Sequence, residues 1–161
     1  MYTFKQTGSR YILSLDNHVS LIEALTAFCE ERGILSGSIH GLGAVSSATF
    51  RFLNPALLSS RAEREDLTAP PYVDKTFDEQ MELTCIEGNI SRKGGEADGG
   101  SGIGQVYLHV HVTASRSDYS CIGGHLLDCR INGACELFVE DLGLPVGRHL
   151  DPSTGLNLYT L

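Results

Sequence analysis

A short segment in the second half of the chain alternates histidine with valine, and this alternation predicts a β-strand. His109 and His111 are separated by Val110. In a strand, successive side chains point to opposite faces, and residues i and i+2 lie about 7 Å apart. We therefore expect the two imidazoles on one face of a strand, with Val110 on the other.

The clearest helix signal of the chain begins at Ser20. Ser20 and Glu23 form a capping box, in which each side chain accepts a hydrogen bond from a free amide of the first turn. Gly33 follows the apolar positions and ends the pattern where a left-handed residue is favoured. The apolar residues that recur at helical spacing are Leu21, Ile22, Leu25, Phe28 and Cys29. The sequence predicts one amphipathic helix of about three turns.

Short apolar and β-branched segments, separated by turn residues, make up most of the remaining chain. We predict strands over residues 10–15, 39–45, 48–52, 72–77, 81–91, 106–114, 125–131 and 134–141, with turns at 46–47 and 132–133. Residues 54–71 are predicted to form a loop with one helical turn at 62–66. Residues 92–104 are predicted to form a glycine-rich flexible hairpin tip or a disordered loop, and the tail from Pro145 an irregular segment. One helix with about seven strands predicts an α+β domain with a mostly antiparallel sheet.

Size, charge and cysteine usage limit the classes of function. A chain of 161 residues with 42% apolar residues is expected to form a single domain over 1–161. The 20 acidic and 12 basic residues give a net charge of -8, which argues against autonomous DNA binding because phosphate contacts need many clustered cations. Five cysteines without a C-x-x-C pair are typical of a reducing compartment. Since no targeting segment and no apolar run of about 18 residues occurs, we expect a cytoplasmic protein with no membrane partner.

A third histidine, His125, follows a glycine pair fourteen residues after His111. Glycine allows close backbone approach, so His125 can complete a three-nitrogen set with His109 and His111. Such a set favours zinc, with nickel, iron and copper as alternatives, and leaves one coordination position for water, another side chain or a ligand. The alternative is that the histidines are polar residues on a half-exposed strand face. Candidate general bases for chemistry at such a site are Asp128, Glu136 and Glu82.

Other patterns that resemble functional motifs are incomplete. Gly41 and Gly43 are followed by Ser46 where a dinucleotide-binding loop needs its third glycine, and residues 94–104 lack the Gly-Lys-Ser/Thr of a phosphate loop. Neither Ser120 nor Cys121 lies in a nucleophile elbow, although both are close to His125 in sequence. Cys129 fits a buried thiol better than a metal ligand.

Several segments in a fixed order carry a family resemblance that covers nearly the whole chain. They are Glu31-Arg32-Gly33-Ile34, residues 39–48 (IHGLGAVSSA), Met81-Glu82-Leu83, Glu87-Gly88-Asn89-Ile90, His109-Val110-His111, Gly123-Gly124-His125-Leu126-Leu127 and Ala134-Cys135-Glu136-Leu137. In these segments the chain resembles the plants and prokaryotes conserved domain, written PPC or PCC. That domain occurs alone in bacteria and archaea and behind AT-hooks in plant nuclear proteins.

The resemblance implies an α+β homotrimer whose prokaryotic members carry a histidine metal site. Carried onto this sequence, that site falls on His109, His111 and His125. The DNA-binding label of the family rests on an AT-hook outside the domain, and no such Arg-Gly-Arg-Pro segment occurs here. The plant partner-binding motif, Gly-Arg-Phe-Glu-Ile-Leu, would align with residues 79–84, which keep Glu82 but not the Gly-Arg-Phe.

Three hypotheses about function follow from these observations. The first is a cytoplasmic homotrimeric PPC-domain protein whose three-histidine transition-metal site binds a small ligand or carries out an unidentified metal-dependent reaction. The second is a DNA-binding or regulatory protein without its own AT-hook. The third is a trimerising scaffold without chemistry.

Overall fold

The computed structural model describes residues 1–54, 72–96, 99–100, 102–152 and 154–161. The helical turn expected at 62–66 lies outside these residues. The elements of the described residues are β1 (Tyr2–Thr7), β2 (Arg10–Leu15), α1 (Leu21–Arg32), β3 (Gly37–Leu53), β4 (Tyr72–Phe77), β5 (Met81–Lys93), β6 (Gln105–Ser115), β7 (Cys121–Asp141), β8 (Gly147–Leu150) and β9 (Asn157–Thr160).

Seven of these strands form one antiparallel sheet in the order β1-β2-β7-β6-β5-β3-β4. Strand β3 pairs with β5 on one edge and with β7 on the other. Because β5 pairs with β6 and β6 pairs with β7, the pairing of these four strands closes on itself. Closure satisfies backbone groups that an open sheet would leave at its edges. The predicted α+β fold with a mostly antiparallel seven-stranded sheet is confirmed.

Two predicted turns are wrong, because the chain passes through them as continuous strand. Residues 46–47 lie inside β3, and residues 132–133 lie inside β7. The segments on both sides of each turn pair with the same partner, so the chain does not fold back on itself. Shifts of register between β3 and β7 absorb the glycines and serines there as bulges, and Gly133 has φ 126°.

The two ends of the chain also differ from the expectation. Strand β1 was not predicted, although it pairs with β2 along its whole length. The tail, predicted to be irregular, contains the antiparallel pair β8 and β9. Each of these two strands has only four residues, too few for a sequence pattern to show. The pairing of β5 with β6 up to Lys93 and Gln105 agrees with a hairpin connection between them, although residues 92–93 of the predicted tip belong to β5.

The helix α1 covers one end of the sheet with its apolar face. On this face, Phe28 is fully buried and has edge-on contacts with the rings of Tyr2, Phe4 and Tyr11. At the first turn, Ser20 Oγ accepts a hydrogen bond from Glu23 N at 3.0 Å, as the capping pattern predicts. Gly33 ends the helix in the left-handed conformation.

The cap also joins the helix to β7. Ser20 Oγ donates a hydrogen bond to Asp128 Oδ1 at 2.8 Å. The Oδ1 atom of Asp128 also accepts a hydrogen bond from Ile22 N at 3.2 Å. Ser20 is buried, so water replaces these bonds poorly. The cap therefore fixes the start of α1 against the strand that carries His125.

We expect Ser20→Ala to lower the free energy of unfolding by about 1–2 kcal/mol, because an N-cap bond and a buried bond to Asp128 are lost together. Urea denaturation measures this loss. Ser38→Ala, on an exposed position of β3, is the control and is expected to change stability by less than about 0.5 kcal/mol. Equal effects of the two substitutions would contradict the role of the cap.

Candidate metal centre

On β6 the valines point to one face of the strand and the histidines to the other, as their alternation in the sequence predicts. Val110 and Val112 are buried in the core, with exposures of 0% and 3%. His109 is half-buried and His111 is exposed, both on the opposite face. The valines thus anchor the strand to the core, and this packing directs both imidazoles outward.

His125 joins this face from the neighbouring strand. On β7 it lies directly opposite His111 in the strand register. Two residues earlier, Gly123 lies opposite Thr113, where an added Cβ would come within 2.5 Å of the carbonyl oxygen of Val112. Only glycine allows β6 and β7 to approach this closely. The glycine pair noted in the sequence therefore brings the third histidine to the other two.

The three imidazoles form a compact cluster. The Nε2 atoms of His109 and His111 are 3.2 Å apart. The ring centroids of the three side chains are separated by 5.1, 5.1 and 5.4 Å, and one ligand nitrogen of each ring lies within 4.8 Å of those of the others. Two nitrogens bound tetrahedrally at about 2.0–2.1 Å from zinc would be roughly 3.3 Å apart. The donor set and its spacing fit a transition-metal ion.

Burial favours the neutral form of two of these imidazoles, those of His109 and His125. Burial lowers the pKa of His125 to about 4, and the neighbouring His109 and His111 add to this effect. The pKa of His109 is also lowered, first by burial and then by His111 and Arg148. A neutral imidazole has a free lone pair, and this is the form that binds metals.

Charged residues that sequence patterns did not indicate surround the cluster. Glu87 on β5 is exposed and lies opposite His111 in register. On the other side, Arg51 of β3 lies opposite His125 and forms two hydrogen bonds with Asp74, of 2.8 and 2.7 Å. Only the register between strands shows these neighbours, and a single sequence does not contain the register.

The general bases suggested by the sequence lie elsewhere. Asp128 caps α1, as described above. Glu82 lies on β5, five residues before Glu87, which is the residue opposite His111. Five residues correspond to about 17 Å of strand, so Glu82 is far from the cluster. Glu136 pairs with Ser14 and Leu42, at the other end of β7 from His125.

The other sequence candidates are not part of the cluster either. Ser120 Oγ donates to Asp118 at 2.6 Å, which ties the hydroxyl into a local turn, and Cys121 begins β7. Cys129 is buried, and burial raises the pKa of its thiol, as expected for an inert thiol. Within the described residues, the groups placed to hold a metal are the three histidines.

Comparisons with known proteins place this geometry in context. The family model of the Plants and Prokaryotes Conserved (PCC) domain matches residues 2–143 of the sequence. A “putative DNA binding protein” from Bacteroides thetaiotaomicron is 46% identical over 99% of this chain and 96% of that chain, with a TM-score of 0.82. A metal-containing protein from Archaeoglobus fulgidus is 30% identical over 99% of both chains, with a TM-score of 0.74.

A more distant similarity supports the fold alone. A plant- and prokaryote-conserved protein from Pyrococcus horikoshii is 21% identical over 99% of this chain and 94% of that chain, with a TM-score of 0.73. No curated protein matches the chain.

In the presence of a chelator, the lowered pKa of His125 predicts a pH-dependent stability. Protonation of His125 favours the unfolded chain, because its pKa is lower in the folded protein. The stability that the neutral imidazole contributes is therefore fully present above pH 6.5 and is lost as pH falls towards about 4. With solvent screening at this half-exposed site, it amounts to about 1–2 kcal/mol. Urea denaturation at several pH values should show a shallower slope between pH 6.5 and 4 for His125→Gln, whereas identical slopes would contradict the assignment.

Proposed function

The chain belongs to the Plants and Prokaryotes Conserved (PCC) domain family, and on this premise we propose that it binds a transition-metal ion through His109, His111 and His125. Zinc is the first choice, because three imidazoles with one further position are a common zinc-binding set. The proposed role of the ion is to bind a small ligand, on which the site can carry out metal-dependent chemistry.

One observation carries this proposal: three imidazoles from two strands converge at a spacing that suits one ion. The Nε2–Nε2 distance of 3.2 Å is close to that between ligands of one zinc ion. The relative from Archaeoglobus fulgidus, which is described as metal-containing, adds support from outside this chain. A purely structural role for the histidines would not require three ring nitrogens to meet.

The residues around the cluster have distinct roles in this proposal. The buried face of β6 holds His109 and His111 in position, and Gly123 sets the distance to His125. When bound, a zinc ion supplies a Lewis acid that polarises a ligand oxygen. The described residues place no fourth donor within the cluster, so the remaining position is open to a ligand. Glu87 lies directly opposite His111 in the strand register and is placed to accept a proton from a bound ligand.

We also propose that the protein is a homotrimer, as the family resemblance implies. On the outer face of the sheet, Ile12, Leu42 and Phe138 have exposures of 51%, 55% and 48%. Ile12 and Phe138 are directly opposite each other, and His40 stacks on Phe138 with ring centroids 5.1 Å apart. We call these three apolar residues the outer apolar patch. Exposed apolar patches of this kind mark subunit interfaces.

We further propose that the protein is cytoplasmic and that residues 1–161 form a single domain. All five cysteines are free thiols in the structure, which supports a reducing compartment. Among the described residues, no helix combines the length and apolar character that crossing a membrane requires. The tail beyond the family match is tied to β5, since Arg148 of β8 donates hydrogen bonds to Ser91 and Asn89.

DNA binding is the second candidate function, because a relative that shares 46% identity is described as a “putative DNA binding protein”. The charges of this chain favour it less. Of the seven arginines that the structure describes, five form ion pairs with carboxylates: Arg10, Arg32, Arg51, Arg92 and Arg116. Arg148 is buried, and Arg130 donates to the carbonyl of His18. Few of the described arginines therefore remain free to contact phosphates.

Purified without a histidine tag and reloaded with zinc, the protein is expected to hold about one ion per chain by elemental analysis. His111→Ala should weaken zinc affinity by on the order of 100-fold, since it removes one of three ligands. His40→Ala, another exposed strand histidine, is the matched control and should bind zinc as the wild type does. A wild-type protein that does not retain zinc would contradict the proposal.

An electrophoretic titration separates the two candidate functions. At about 150 mM salt and about 10 μM protein we expect no shift of duplex DNA, because the net charge of -8 opposes the phosphate contacts on which such binding depends. A salt-sensitive shift under these conditions would favour the DNA-binding alternative.

Light scattering tests the trimer. The expected mass is three times the 17.4 kDa of the chain. Phe138→Glu should shift the protein to monomers, because it places a charge in the outer apolar patch. Phe52→Glu is the control, because Phe52 is 67% exposed and lies outside that patch. A wild-type monomer, or dissociation by the control alone, would contradict this assignment.

A further inference from the structure

Among the described residues, one buried cation beside the histidine cluster has no acidic partner. Arg148 is 5% exposed. Its Nε, Nη1 and Nη2 donate to Ser91 Oγ at 2.9 Å, to Asn157 O at 2.9 Å and to Asn89 Oδ1 at 2.7 Å. All three acceptors are neutral, and in the part of the chain that the structure describes no carboxylate pairs with Arg148. Buried charges are normally paired, because removing a charge from water is costly.

A second buried arginine follows the usual rule. Arg92 is 3% exposed and forms an ion pair with Glu30 at 2.8 Å. Arg148 instead lies between two aromatic rings, with its guanidinium carbon 4.8 Å from the centroid of Tyr107 and 4.1 Å from that of Tyr159. Ring faces stabilise a cation but do not neutralise it. Among the residues that the structure describes, this positive charge is therefore uncompensated.

The guanidinium of Arg148 contacts two residues that flank His109, Asn89 and Tyr107. Asn89, which accepts from Arg148, is directly opposite His109 in the register of β5 and β6. Tyr107, which stacks on Arg148, is two residues before His109 and on the same face of β6. The guanidinium is thus next to the histidine cluster, and its charge acts on whatever the cluster binds.

The other charges near the cluster do not compensate Arg148. The three imidazoles contribute no negative charge. Arg51, beside His125, is already neutralised by Asp74 through two hydrogen bonds. Glu87 is exposed to solvent, opposite His111 rather than His109. A divalent ion at this site would therefore share it with an unpaired cation.

We propose that the ligand of this site is a small oxyanion, such as a carboxylate, which binds at the open position beside the histidines and supplies the counter-charge that Arg148 lacks. This inference rests on the metal site proposed above. It names the chemical class of the ligand: a compound with a carboxylate or phosphate group. Neutral ligands would leave the positive charge of the ion and of Arg148 uncompensated.

Cobalt-loaded protein provides the test, because the visible absorption of cobalt reports a change at its open position without any need for activity. We titrate it with acetate and, separately, with inorganic phosphate. Wild type should show a saturable spectral change with at least one of them, and the comparison of acetate with phosphate identifies the preferred oxyanion.

Two variants remove the unpaired charge in different ways. Arg148→Gln deletes the cation, and Asn89→Asp keeps the shape of Asn89 while placing a carboxylate on the guanidinium. We expect each to weaken oxyanion affinity about tenfold while cobalt is still taken up. Asn89→Asp should also preserve or raise the melting temperature, so the test remains valid if Arg148→Gln does not fold. Arg116→Gln, which removes an arginine paired with Glu79, is the matched control and should titrate as the wild type does.

The outcomes separate this inference from the proposed function. If wild type takes up no cobalt, the metal site itself is wrong, and the inference falls with it. If cobalt binds but neither oxyanion changes the spectrum, or if folded Arg148→Gln and Asn89→Asp both bind oxyanions as wild type does, only the inference is overturned. A response that appears only in Glu87→Gln would show that Glu87 fills the open position, which also overturns it.

Discussion

The pairing of β6 with β7 is the constraint on which the histidine cluster depends. It places His125 directly opposite His111, and a slip of one residue would turn His125 towards the core. Two features hold this register. Val110 and Val112 are buried, so β6 has only one stable orientation of its faces, and Gly123 permits the close approach that a larger residue would block. The site is therefore a consequence of how the sheet packs.

Local patterns in the sequence were sufficient to predict the helix and the faces of the histidine strand. Ser20, Glu23 and Gly33 marked the ends of the helix, because capping is decided by residues a few positions apart. The alternation of His109, Val110 and His111 indicated the faces of β6 for the same reason. The convergence of the three histidines was also anticipated from spacing and from the glycine pair.

Features that depend on distant strands were not predictable in this way. The long strands β3 and β7 were each divided at residues that look like turns, because a bulge and a turn use the same small residues, and only the partner strand distinguishes them. Glu87, Arg51 and Arg148 reach the histidines from three other strands. Arg148 lies in a tail whose strands are too short to produce a pattern, so its position beside His109 required the structure.

The distribution of charge connects the fold to its proposed function. Most of the described arginines are paired with carboxylates, which disfavours a nucleic-acid surface, whereas Arg148 is held unpaired beside the histidines. A set of three imidazoles next to this cation suits a metal with an anionic ligand. The family relationship is compatible with both candidate functions, and the local geometry favours the metal.

X-ray absorption at the zinc edge, on protein loaded with one equivalent of zinc, tests the central claim most directly. We expect a shell of nitrogen and oxygen neighbours at about 2.0–2.1 Å with the scattering pattern of three imidazoles. A sulfur shell at about 2.3 Å, or the signature of fewer than three imidazoles, would contradict the assignment of His109, His111 and His125 as the metal ligands.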